Sequence, residues 1–209
     1  MKTRKTIYHL IVDKSGSMHD CVENTINGFN EQVNNIKRRA SEFEQEEITM
    51  GLTLFNDHVE HQYFELSPKS VALLNHRSYQ PDGSTALLDA VGDTVNFIEK
   101  NVLEGLLPTT VIVVILTDGY ENASKSYNLV NIRNMISRLE ETGNWTFSFI
   151  GATLDAVEVA KNMAIKSENS FAFDKKNMKS AVWDKLDHSV HNYLEKKKRG
   201  WGLSNFFGD

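Results

Sequence analysis

The stretch IVDKSGSM at residues 11–18 changes character at Asp13. An apolar run ends there, and the aspartate is followed by two serines spaced two residues apart. Short oxygen-bearing side chains at the end of a buried strand are typical of a ligand site at the rim of a sheet. We therefore predict that Asp13, Ser15 and Ser17 face a common ligand, with Gly16 allowing a tight backbone turn.

Strand-like and helix-like segments alternate along the chain. Nearly continuous apolar runs predict buried parallel strands, and apolar residues at helical spacing predict amphipathic helices. The strands are predicted at 6–13, 110–118 and 145–151, and the helices at 20–44, 86–103, 129–139, 154–163 and 178–193. This alternation indicates an α/β fold, a doubly wound and mostly parallel sheet with helices on both faces.

Residues 48–66 form two further strand-like runs joined at Asn56-Asp57, which predicts a hairpin and hence an antiparallel strand at the sheet edge. The strand at 110–118 must then start the other half of the sheet, beside the first strand. This topology makes a switch point with Asp13 and Asp118 at its rim. The chain returns to that rim through 67–84, with a possible short helix at 68–75, and brings Thr85 there.

Two carboxylates and three hydroxyls are thus expected to converge. An oxygen-only set suits a hard cation such as Mg²⁺, with Mn²⁺ as a possible substitute. The two carboxylates would balance a divalent cation, so the filled site is expected to be neutral. Taken singly, the serines or Thr85 could instead cap helices, and Asp118-Gly119 could be only a turn.

The segments DKSGSM, GSTALLDA and LTDGYEN, in this order, resemble the metal-ion-dependent adhesion site of von Willebrand factor type A domains. The resemblance covers essentially the whole chain and implies that family's Rossmann-like, six-stranded sheet with an antiparallel edge strand. It implies that Ser15, Ser17 and Thr85 are metal ligands, and that Asp13 and Asp118 act largely through water or hydrogen bonds. The segments also resemble short stand-alone bacterial members, including tellurite-resistance-type proteins.

From the resemblance we expect a metal-dependent protein-binding adaptor, not an enzyme, whose partner supplies an Asp or Glu to the metal. An ATPase, kinase or phosphatase is a possible partner. A Mg²⁺-dependent hydrolase is the first alternative, with His19 as the only base near the serines in sequence. A structural module that docks through its aromatic tail at 199–209 is the second alternative. Packing of that tail on the domain, which we assign to 1–198, is the other role considered for it.

Composition limits the other classes of function. A net charge of −5 argues against general binding to nucleic acid or anionic membranes. The KKKR run at 196–199 is interpreted as a solvated helix end. The N-terminal segment imitates a secretory signal, but its apolar run is too short. A single cysteine, Cys21, fits a reducing compartment, so a cytoplasmic protein is expected.

The remaining histidines are interpreted as structural. His58 with His61, and His188 with His191, could each supply half of a zinc site, but no further ligand is evident and solvated faces are favoured. His9, inside a covered strand, is expected to be a hydrogen-bonded core residue.

Overall fold

The structure, a computed structural model, describes residues 1–101, 107–152 and 155–208, with the backbone alone at 179 and 180. The strands are β1 (Arg4–Asp13), β2 (Glu46–Phe55), β3 (Val59–Leu66), β4 (Thr109–Thr117), β5 (Trp145–Gly151) and β6 (Ser170–Ala172). The helices are α1 (Val22–Glu42), α2 (Leu87–Asn101), α3 (Leu129–Glu141), α4 (Ala156–Asn162) and α5 (Lys185–Arg199).

The six strands form one sheet in the order β3-β2-β1-β4-β5-β6. All neighbouring pairs are parallel except β2 and β3, which form the expected antiparallel hairpin at the edge. The doubly wound α/β prediction is confirmed. The connection after β1 leads to β2 on one side, and the connection after β4 leads to β5 on the other side. The carboxyl ends of β1 and β4 therefore meet at the switch point.

The apolar residues of β1 alternate between two core layers, as side chains on a strand must. Tyr8, Leu10 and Val12 pack on the face covered by α1 and α5. Ile7 and Ile11 pack on the face covered by α2, α3 and α4. Burying both faces makes the sheet the centre of the molecule, with about 1.5–3 kcal/mol gained for each large apolar side chain.

Several segments differ from their predicted form. The helix predicted at 20–44 begins as a 3₁₀ turn, Gly16–Cys21, before α1. The short helix at 68–75 is only the 3₁₀ turn Pro68–Ser70, where Pro68 occupies the first position. Of the predicted helices at 86–103 and 154–163, residues 102, 103 and 154 lie outside the described part of the chain.

The helix predicted at 178–193 starts as a π-helical segment, Lys179–Asp184, and continues as α5. Trp183 of this segment packs on Gly28 of α1 so closely that a β-carbon on Gly28 would lie 2.0 Å from the indole. A glycine at this helix position therefore provides the space that the buried indole occupies.

The chain after α5 packs back on the domain through part of its length. Gly200 ends the helix in the left-handed conformation, with φ of 71°. Phe206 is buried against Tyr193, and its backbone N–H donates to Asn169 Oδ1 at 2.7 Å. Trp201 stays 58% exposed. The tail was expected either to dock a partner or to pack on the domain. Phe206 packs on the domain, whereas the side chain of Trp201 remains exposed to solvent.

Lys197 corrects the interpretation of the KKKR run as a solvated helix end. Its ammonium forms an ion pair with Glu46 and donates to Lys5 O, Thr6 Oγ1 and Thr110 Oγ1, at the start of the sheet. The side chain is only 8% exposed. Four consecutive residues point to all sides of a helix, so at least one residue of the KKKR run must face the sheet. Among the described helices, none is long and apolar enough to cross a membrane.

Candidate metal centre

Asp13 ends β1 with its carboxylate buried and oriented by hydrogen bonds. The backbone N–H of Ser15 donates to Oδ1 at 2.6 Å, and Thr117 Oγ1 donates to Oδ2 at 2.5 Å. Burial, with a smaller contribution from the charge of Asp118, raises the pKa of Asp13 to about 6 against the opposing effect of these hydrogen bonds. A carboxylate held in this way stabilises positive charge placed beside it.

The two serine hydroxyls link Asp13 to Asp118 across the switch point. Ser15 Oγ lies 3.1 Å from Ser17 Oγ, and Ser17 Oγ donates to Asp118 Oδ1 at 2.5 Å. Ser15 precedes the 3₁₀ turn at Gly16–Cys21, yet its side chain makes no capping hydrogen bond there. The alternative that this hydroxyl serves as a helix cap is therefore wrong, and it remains directed to the rim.

The loop at 82–85 completes the rim. The N–H of Gly16 donates to Gly83 O at 3.0 Å, and the N–H of Asp82 donates to Lys14 O at 2.9 Å, which docks this loop on the end of β1. Gly83 makes a tight turn of its own, with φ of 75°. The chain also turns tightly at Gly16, which begins the 3₁₀ turn Gly16–Cys21 without a positive φ.

The backbone of Thr85 is held by the LTDGYEN segment and the residue after it, in the loop that follows β4. Its backbone N–H donates to Asn122 Oδ1 at 2.8 Å, and its carbonyl accepts from the N–H groups of Asn122 and Ala123. Glu121 accepts from the N–H of Leu88 in the first turn of α2 at 2.9 Å. The loop after β4 thus fastens the start of α2, and the position of Thr85 with it.

Gly119 marks the point on which the oxygens converge. A β-carbon on Gly119 would lie 2.8 Å from Thr85 Oγ1, 3.3 Å from Ser17 Oγ and 3.6 Å from Asp13 Oδ2. Three oxygens from two segments of the rim therefore surround a small space beside the third segment, and only glycine leaves this space open at position 119. The five residues singled out in the sequence are brought together, and their role as metal ligands stays a prediction.

Lys175 enters the site from the segment between β6 and α5, and sequence analysis missed it. Its ammonium forms an ion pair with Asp118 Oδ2 and donates to Ser17 O at 2.9 Å. Partial burial lowers the pKa of Lys175, but the hydrogen bond and charge of Asp118 outweigh this and the net change is a rise. The ammonium is therefore a charged member of the rim.

Two further residues of the site were also missed. Thr117, the last residue of β4, fixes Asp13, and Asn122, four residues after Asp118, fixes Thr85. Asn122 lies inside the LTDGYEN segment and was a visible signal. Thr117 lies in the same segment, but its contact with Asp13 follows only from the pairing of β1 with β4. Lys175 carries no local signal, because only the path of the chain after β6 brings it near.

His9 and His61 meet within the sheet, on β1 and β3. His9 is buried and its Nε2 contacts Thr53 Oγ1 at 2.9 Å, which confirms the expected core histidine. His61 Nδ1 contacts the same hydroxyl at 3.1 Å, and His58 contacts Asp57. Within the described ranges, no group of three or more histidine, cysteine and acidic residues is arranged to hold a metal.

Comparisons with known proteins agree with this architecture. A sequence model described as the von Willebrand factor type A domain matches residues 9–187. A search of curated proteins gave no significant match. Among solved structures, the vWF domain of the type V pili tip protein Mfa5 from Porphyromonas gingivalis superposes with a TM-score of 0.64 at 10% identity, covering 93% of this chain and 97% of that one.

Two other structures are similar at comparable levels. Proximal thread matrix protein 1 from the mussel byssus, solved with a zinc-occupied MIDAS motif, gives a TM-score of 0.54 at 18% identity, covering 93% of this chain and 46% of that one. Manganese-loaded TRAP protein from Plasmodium vivax gives 0.58 at 16% identity, covering 87% and 73%. The chain thus spans less than half of the byssus protein.

At these identities the structures show the fold, whereas the sequence match, which spans most of the chain, shows the family. The match starts within β1 and ends within α5, so it includes all three segments of the rim. The chain belongs to the von Willebrand factor type A domain family.

Proposed function

We propose that this chain is a metal-dependent protein-binding module, an adaptor whose partner contributes an acidic side chain to a divalent cation at the rim. The observation that carries the proposal is the convergence of Thr85 Oγ1, Ser17 Oγ and Asp13 Oδ2 around the open space at Gly119. Hydroxyls and carboxylates held by a rigid sheet form a site that is already organised for a cation.

The donor set fits a hard cation. Every candidate ligand is an oxygen, and no thiolate or imidazole takes part among the residues brought together there. Under the proposal, Ser15, Ser17 and Thr85 would hold the cation directly. Asp13 and Asp118 would act through water and supply the negative charge. Mg²⁺ is the proposed ion, with Mn²⁺ as a substitute; the manganese-loaded and zinc-occupied relatives support a divalent cation in general.

When bound, the cation would supply a positive centre with an open position that a carboxylate can enter. The chain's own residues would hold it, because hydrogen bonds already orient the Asp13 carboxylate and the hydroxyls of Ser15 and Ser17. Loss of the partner's carboxylate would cost about 2–5 kcal/mol of binding, by analogy with breaking a buried charge pair.

The partner class and the location are further parts of the proposal. By resemblance to short stand-alone bacterial members, we propose an ATPase, a kinase or a phosphatase as the partner and the bacterial cytoplasm as the location. Co-purification from cells followed by mass spectrometry, with the wild type compared with Asp13→Ala, would identify the partner. Fractionation would test the location.

Calorimetric titration with Mn²⁺ tests the metal site. Asp13→Ala, or Ser15→Ala combined with Ser17→Ala, should abolish binding while the protein remains folded, because these residues lie in rim loops and at a strand end. Ser84→Ala is the matched control, since Ser84 is exposed and adjacent to Thr85. Unchanged Mn²⁺ affinity in both site variants would refute the proposed metal site.

A second experiment tests how the partner binds. Excess chelator should release the partner as completely as Asp13→Ala does, and added Mg²⁺ should restore binding by the wild type only. A partner that stays bound with equal affinity in chelator would instead place the interface elsewhere, with the exposed Trp201 as the first candidate.

We propose no catalytic role. Ser17 Oγ donates to Asp118, an arrangement that suits holding a ligand, and within the described residues His19 makes no hydrogen bond with either serine. The test is turnover of generic phosphate and carboxyl esters by the purified protein with Mg²⁺. Activity that is lost in the Ser15→Ala, Ser17→Ala variant would establish the hydrolase alternative.

A further inference from the structure

Lys175 changes the charge of the rim. The sequence led us to expect two carboxylates that balance a divalent cation, and the structure adds an ammonium that forms an ion pair with one of them. With Asp13, Asp118 and Lys175 together, the rim carries one net negative charge. A divalent cation would therefore leave one positive charge in excess, where a rim without Lys175 would be neutral.

The ion pair is formed within the site itself. The Asp118 side chain has no exposure to solvent, so its interaction with the ammonium is screened far less than that of a surface pair. The other carboxylate oxygen accepts from Ser17 Oγ at 2.5 Å, and Lys175 also donates to the carbonyl of the same serine. A cation held by Ser17 is therefore close to the ammonium and is repelled by it.

Lys175 has both the reach and the room to leave this position. Its side chain is 33% exposed. It lines a surface hollow of about 820 Å³ between Asp20, Asn24 and the segment from Ala172 to Lys176. Because the hollow opens directly beside the ion pair, the ammonium can move to water without disturbing β6 or α5.

We infer that Lys175 is an internal counter-cation of the metal centre, one that weakens cation binding to the free chain and makes tight binding depend on an anionic group supplied from outside. The inference rests on the proposed metal-binding function and adds its regulation. An incoming carboxylate restores neutrality at the filled site, so the cation and the partner's carboxylate bind cooperatively. Lys175 is thus a residue that sets affinity, distinct from the ligands.

Mn²⁺ titration of Lys175→Met tests the first half of the inference. Removal of the ammonium should tighten Mn²⁺ binding by about tenfold or more, as expected for removing one nearby like charge. Lys175→Arg should keep wild-type affinity because it keeps the charge. Lys176→Met is the matched control, since Lys176 is exposed and lines the same hollow. Thermal melting of each variant verifies folding.

Acetate serves as the probe for the second half. Sodium acetate, compared with sodium chloride at equal ionic strength, should tighten Mn²⁺ binding to the wild type more than to Lys175→Met. Equal or weaker Mn²⁺ binding by Lys175→Met would overturn the inference and leave the lysine with the role of positioning Asp118. Such an outcome differs from failure of the metal site, in which the Ser15→Ala, Ser17→Ala variant binds Mn²⁺ as the wild type does.

Discussion

Two lysine–carboxylate pairs lie at opposite ends of the same sheet and differ in how completely each is satisfied. At the start of the strands, Lys197 pairs with Glu46 and has three further acceptors, and its side chain is 8% exposed. At the carboxyl ends, Lys175 pairs with Asp118, has one further acceptor, Ser17 O, and is 33% exposed. The first ammonium is fully enclosed, whereas the second can exchange its partner for water.

The difference shows which chemistry each end can support. Burial of a charge is tolerated when hydrogen bonds and an opposite charge replace its lost hydration. Lys197 meets that condition, so its pair ties α5 to β1, β2 and β4. Lys175 meets that condition only in part. A competing cation can therefore replace its ammonium beside the Asp118 carboxylate.

The largest effect is expected from Glu46→Gln. The substitution leaves the ammonium of Lys197 buried without an opposite charge, and removal of one partner of a buried pair costs about 3–5 kcal/mol. Urea unfolding at pH 7 measures the loss, and Mn²⁺ affinity should stay unchanged. Glu47→Gln, at the next and less buried position of β2, is the control.

Asp118→Asn is the matched change at the other end. Because Lys175 can turn to solvent, this variant should lose less than about 1 kcal/mol of unfolding free energy, while Mn²⁺ binding weakens. Equal losses in Glu46→Gln and Asp118→Asn would erase the contrast between the two ends.

His9, in the middle of β1, is buried without any charge and gives the next largest effect. Burial, and to a smaller extent the nearby His61, lowers its pKa from 6.5 to about 3 in the folded protein. The unfolded chain therefore takes up the proton first as the pH falls. Its contribution to stability is complete above about pH 6.5 and is lost progressively towards pH 3, with about 3 kcal/mol lost at pH 4.

Unfolding free energies from pH 7 to pH 4 measure this loss. His9→Gln should flatten the slope, and His58→Gln, at an exposed histidine, controls for removal of an imidazole in general. An unchanged slope in His9→Gln would assign the acid sensitivity to other groups.

Gly119→Ala should have a small effect on stability and a large effect on the rim. The new methyl group would lie 2.8 Å from Thr85 Oγ1 and would fill the space between the oxygens. We expect a loss of about 1 kcal/mol in unfolding free energy and at least a tenfold loss of Mn²⁺ affinity. Gly16→Ala is the control, because its β-carbon would meet only Gly83 O, at 3.5 Å. Full Mn²⁺ affinity in Gly119→Ala would contradict this location of the site.

Most of the fold follows from local patterns, and the exceptions have physical causes. The first five strands, β1 to β5, are long enough to show a continuous or alternating apolar pattern. Ser170–Ala172, the sixth strand, has three residues and no pattern of its own; it forms because β5 offers it an edge. The π-helical segment before α5 was predicted as ordinary helix, because apolar spacing does not register one added residue per turn.

The rim could be predicted as far as it is made of local motifs. Asp13, Ser15 and Ser17 lie within five residues, and strand order brings Thr85 and Asp118 to them. Lys175 lies in no motif, because its interaction with Asp118 depends on where the chain runs after β6. Lys197 was misinterpreted for a related reason, since a run of cations does not show which of them faces the sheet.

The central place of β1 has a consequence for how the protein is made. One edge of β1 pairs with β2 early, but β4 begins only at Thr109, nearly a hundred residues after β1 ends. At ribosomal rates of about 5–20 residues per second, the edge of β1 that pairs with β4 stays unpaired for roughly 5–20 s. A nascent chain in this interval offers an open strand to other chains, so slow translation or heat during synthesis should aggregate it more readily than the finished protein.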